Sequence, residues 1–85
     1  MKTYEFDVVL KGVSEVSDDQ ADRLFAAGCD DGTPVVCDGT AWVHFDRAAA
    51  SLDEAIATAV AQVQAAGFTV SKVELDVAAA AALGA

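Results

Sequence analysis

The stretch "DGTAWVHFD", residues 38–46, holds the only Trp and the only His of the chain, and strand-like alternation puts Trp42, His44 and Asp46 on one side of it. An imidazole near carboxylates could serve as a general base or hold a divalent cation. Asp7, His44, Asp46 and Glu74 are the donors such a cation would draw on, but they form no recognisable ligand motif. For nucleophilic catalysis, His44 has Asp46 on its own face and no Ser or Cys at a spacing that implies reach. Cys29 and Cys37 lack a CxxC spacing and, with a single His, cannot complete a tetrahedral zinc shell. Both are read as reduced, buried, small hydrophobes. No catalytic, cofactor-binding or metal-ligating residue is therefore assigned, no cofactor is expected, and the chain is read as non-enzymatic.

These residues must be positioned by a small domain. The chain has 85 residues, and a chain of this size buries only about 60–65% of its unfolded surface in one core. Fourteen acidic residues against five Lys and Arg give a net charge of -9, which disfavours nucleic acid and anionic membrane surfaces as partners. The opening "MKTYEFDVVL" carries acids where a signal peptide needs an apolar run. The longest apolar run, "VAAAAAL", is too short to span a bilayer. The expected location is the cytoplasm.

Residues 3–11 alternate, with Tyr4, Phe6, Val8 and Leu10 on one face. "SDDQADRLFAAG" predicts a helix capped by Ser17 with Gln20 closing a capping box, an inner face of Ala21, Leu24 and Phe25, and a stop at Gly28. "TPVVCD" predicts a short strand that Pro34 confines to a sheet edge, and "DGT" a hairpin turn. "AWVHFD" follows as an alternating strand with Ala41, Val43 and Phe45 inward. "SLDEAIATAVAQVQAAG" predicts a helix from Ser51 to Gly67 with Leu52, Ile56, Ala59, Val60 and Val63 as its apolar stripe. The last strand, "FTVSKVELDV", changes phase between Val70 and Val73, which predicts a bulge before Val73, Leu75 and Val77 share a face.

The order β-α-β-β-α-β predicts a ferredoxin-like α+β sandwich: a four-stranded antiparallel sheet with both helices on one face. The first strand and "AWVHFD" should be central. Residues 1–77 form the single domain and 78–85 an Ala-rich tail. The predicted core is Phe6, Val8, Leu10, Leu24, Phe25, Val43, Phe45, Ile56, Val60 and Val63. The uncovered face should carry Glu5, Asp7, Val9, Val36, Trp42, His44 and Asp46, and from these Val9, Val36, Trp42, His44 and Asp46 form the candidate interaction surface. A second copy of the chain is the simplest partner, provided Lys11, Lys72 or a protonated His44 offsets the facing carboxylates.

Two other functions share this architecture. "DGTAWVHF" partly overlays the signature of RNA recognition motifs, but Asp38 replaces the basic residue and Thr40 the first stacking aromatic, and acids line the face. An acylphosphatase-like enzyme or ligand-binding domain using the open face around His44 is the alternative reading, yet "KGVSEVSDDQ" places Glu15, Asp18 and Asp19 where an anion would bind.

Over residues 4–77 the chain resembles the N-terminal module of small uncharacterised bacterial helix-turn-helix, antitoxin-like regulators. The pieces that carry the resemblance are Leu24-Phe25-x-x-Gly28-Cys29-Asp30-Asp31, Phe45-Asp46-Arg47 and Ser51-x-x-Glu54-Ala55. After Val77, "AAAAALGA" stands where the family has its DNA reader, so DNA binding is not carried over. What the resemblance implies is a non-catalytic accessory domain in bacterial transcription control. Cys29-Asp30-Asp31 is read as shaping a turn, and Asp46 and Arg47 as surface charges at a strand end.

Overall fold

The computed structural model describes residues 2–75. Six elements follow one another: β1 (Lys2–Leu10), α1 (Asp18–Ala26), β2 (Gly32–Cys37), β3 (Thr40–Ala49), α2 (Leu52–Ala65) and β4 (Val70–Leu75). The strands form one antiparallel sheet in the order β2-β3-β1-β4, an α+β unit with β3 and β1 central and the Pro34 strand at an edge, as expected. Val77 and the tail lie outside the described residues. No helix among the described residues is long and apolar enough to cross a membrane.

The turn chemistry is as the sequence predicts. Asp38 and Gly39 both have positive φ, 51° and 76°, which suits the two-residue hairpin that pairs Cys37 with Thr40. The bulge lies in β4: Val9 pairs with Lys72 but Leu10 with Val70, leaving Ser71 as the extra residue. At α1 the Ser17 hydroxyl accepts from the Gln20 N–H at 3.2 Å, and Gln20 Oε1 accepts from the Ser17 N–H at 2.9 Å, completing the capping box. At α2 the Ser51 hydroxyl accepts from the Glu54 N–H.

One face of the sheet meets both helices. Phe6, Val8, Leu10, Ala41, Val43 and Phe45 cluster with Leu24 of α1, with Ala55, Ala59 and Val63 of α2, and with Cys29, Ala66 and Phe68. Phe6 and Phe45 oppose each other across β1 and β3 with stacked rings 5.5 Å apart. Gly32 lets this layer close, because a Cβ there would stand 2.8 Å from Val43 Cγ1.

Two core expectations need correction. Phe25 is 68% exposed. It lies about 100° around α1 from Leu24, and a nine-residue helix anchored through Leu24 turns it away from the sheet. The stripe of α2 is also rotated: Ala55, Ala59 and Val63, spaced i, i+4 and i+8, are buried, while Leu52, Ile56 and Val60 flank them half-buried. Alanines at the contact bring the helix axis close to the sheet, so the larger residues pack beside the line of contact.

A further correction concerns the end of β3. The strand continues past Asp46 to Ala49, and Arg47 points into the covered face at 8% exposure, so it is no surface charge. Its Nε and Nη2 each donate to Asp31 at 2.8 Å, Nη1 donates to the Thr58 hydroxyl at 3.1 Å, and Nη2 also donates to the Gly28 carbonyl at 3.3 Å. The guanidinium carbon lies 4.9 Å from the Phe45 ring centroid. Hydrogen bonding to Arg47 holds the Asp31 carboxyl below its ordinary pKa, against the opposing effect of burial.

Because the folded Asp31 is the stronger acid, this pair contributes fully above the ordinary aspartate pKa of about 4, and the contribution is lost as pH falls through the lowered folded value. Urea unfolding of Arg47→Met at neutral pH should show a loss of about 2–4 kcal/mol, toward the lower part of the range for broken buried pairs because Asp31 keeps some solvent. Asp31→Asn should be less stable than wild type at neutral pH, and the gap should narrow in acid.

Candidate functional site

The other face of the sheet is built in rows, since residues opposite each other in antiparallel strands project to the same side. One row reads Val35, Trp42, Val9, Lys72, and the next reads Thr33, His44, Asp7, Glu74. Beyond them Asp46 stands directly opposite Glu5. The first row is apolar with a cationic end; the others are dominated by titratable groups.

The predicted surface residues Val9, Trp42, His44 and Asp46 do share this face, with Val9 across from Trp42. Val36 does not. It pairs with Ala41, whose side chain is in the core, so Val36 belongs to the helix side, where it is 46% exposed. The two-residue hairpin sets this parity, and Val35 and Cys37 take the places on the open face. Trp42 is half-buried and Val9 only 9% exposed, so neighbouring side chains cover much of the apolar row.

His44 lies among carboxylates from two strands. Its Nδ1 is 2.6 Å from Asp7 Oδ1, and its Nε2 faces Asp46 Oδ1 at 3.7 Å. The Asp7 hydrogen bond raises the imidazole pKa, partial burial opposes this, and the charges of Asp7, Asp46 and Glu5 add to the rise. Lys72 Nζ meets Glu74 at 2.8 Å. Within the sheet, His44 and Lys72 thus each lie against a carboxylate.

The donor set differs from the one suggested by the sequence. Glu5, His44 and Asp46 each bring one donor atom within 4.8 Å of the others, whereas Asp7 engages the opposite ring nitrogen and Glu74 is paired with Lys72. Strand alternation places Glu5 on the open face but assigns it no partner. Its role depends on the β1–β3 register, in which it opposes Asp46, a pairing across 41 residues that spacing alone cannot reveal.

The Nε2 that a general base would use faces Asp46 Oδ1 at 3.7 Å. A hollow of about 370 Å³ on this face is lined by Asp7, Val9, Cys37, Trp42, Lys72 and Glu74, and His44 is not among its lining residues. Asp7 and Glu74, which share that hollow with Trp42, oppose the phosphate attraction that RNA binding draws on. Comparison with known proteins adds no relative: no family model, curated protein or solved structure matches the chain.

The thiols behave differently from the expectation that both are buried. Cys29 is buried, and that burial raises its pKa, whereas Cys37 is exposed at the end of β2. The folded protein should therefore react rapidly with one equivalent of a thiol reagent, and Cys37→Ser should abolish the rapid phase, as read by mass spectrometry before and after denaturation.

Proposed function

We propose that this chain is a ferredoxin-like, non-catalytic interaction module that pairs with a second copy of itself through its open sheet face. It would act in the cytoplasm as an accessory part of bacterial transcription control, the setting implied by its resemblance to antitoxin-like regulators. The element order and the strand order β2-β3-β1-β4 support the fold reading.

The observation that carries the functional reading is the row Val35, Trp42, Val9 on a sheet face that neither helix covers. A central Trp is the type of anchor on which protein interfaces concentrate their energy. A two-fold arrangement would place this row against its own copy and let the charged rows form the polar rim.

Sedimentation equilibrium over a range of concentrations should show a monomer–dimer equilibrium. Trp42→Glu should weaken it by at least about 30-fold, the equivalent of losing a hot spot of about 2 kcal/mol. Trp42→Phe should retain most of the association. A wild-type chain that stays monomeric, or a Trp42→Glu chain that dimerises as wild type does, would overturn the reading.

A further inference from the structure

We propose that Glu5, His44 and Asp46 form a binding site for a first-row divalent transition ion of the zinc type. The site goes beyond the docking reading and does not depend on it. Asp46 lies two residues beyond His44 on the same face of β3, and Glu5 opposes Asp46 from β1, so two paired strands bring the three donors together. One donor atom from each lies within 4.8 Å of the others, and His44 Nε2 is 3.7 Å from Asp46 Oδ1. Ligands about 2.0–2.2 Å from a tetrahedral ion stand about 3.4 Å apart, so small rotations of two exposed carboxylates close the site.

One feature outside the donor set favours an ion. Asp7 occupies Nδ1 at 2.6 Å, which leaves Nε2 as the nitrogen available to an ion. A carboxylate on the remote nitrogen is the usual support of a metal-bound His, orienting the ring and making it a stronger donor. By contrast, Asp18 and Asp19 of α1 occupy a helix N-terminus, where the dipole already accounts for them.

The donor chemistry narrows the ion. One imidazole and two carboxylates suit zinc, cobalt or manganese, whereas calcium and magnesium take oxygen ligands and gain little from His44. Three protein donors leave a fourth position for water.

The test uses the full chain, stripped with a chelator and titrated at mildly alkaline pH, with Zn²⁺ by calorimetry and Co²⁺ by visible absorption. One equivalent of Zn²⁺ should bind, at least about tenfold more tightly than Ca²⁺. Glu5→Gln, Asp46→Asn and His44→Gln should each weaken binding by at least about tenfold, and Asp7→Asn by about 10–100-fold. The double change Asp18→Asn with Asp19→Asn should leave affinity unchanged. Circular dichroism checks the fold of each variant; if His44→Gln does not fold, the two exposed carboxylate variants decide the matter. Binding of Zn²⁺ that is absent, matched by Ca²⁺, or unaffected by Glu5→Gln and Asp46→Asn would overturn the proposal. None of these failures would touch the docking reading, which rests on Trp42 and on mass.

Discussion

The Arg47 guanidinium is the interaction on which the rest of the molecule depends. It binds both oxygens of Asp31 before β2, the Thr58 hydroxyl on α2 and the Gly28 carbonyl after α1, so one side chain of β3 joins three separate parts of the chain. The Thr58 hydroxyl in turn donates toward the Glu54 and Ala55 carbonyls, which leaves its lone pairs for Arg47. A buried cation with unmet donors would destabilise a domain this small; with these partners it lets β3 remain in the sheet as far as Ala49.

That extension shapes the open face. With Arg47 directed inward, alternation directs Asp46 outward, and the continued pairing of β1 with β3 down to Lys2 and Ala49 brings Glu5 opposite it. The cluster around His44 and the hydrogen bonds of Arg47 thus lie on opposite faces of the same pair of strands. The two faces also differ in kind. The covered face gains from stacked phenylalanines and close-packed alanines, and the open face carries most of its chemistry in groups whose charges must be balanced.

Local rules made most of the fold legible. Alternation located β1 and β3, Asp38-Gly39 marked the hairpin, the Ser17 capping box began α1, and the phase change after Val70 marked the bulge. Each of these depends on a few neighbouring residues. The misreadings involve relations between elements. Phe25 looks like core until the anchoring of α1 through Leu24 is known. Val36 changes face because hairpin pairing, and not composition, sets the parity of a short edge strand. Arg47 reads as a solvated charge until Asp31, 16 residues earlier, is brought against it. Trp42, His44 and Asp46 could be put on one face from alternation, but the bond from His44 to Asp7 spans 37 positions and appears only once β1 and β3 are paired.

Pro34 has a consequence for how copies of this domain can meet. Among the described residues β2 pairs with β3 alone, so its other side is a sheet border onto which a strand from another molecule could zip. A proline in the middle of that six-residue strand removes a donor from it, and the hairpin that ends it turns sharply through Asp38 and Gly39. Strand-by-strand growth, the route to open-ended aggregates, is interrupted at that border.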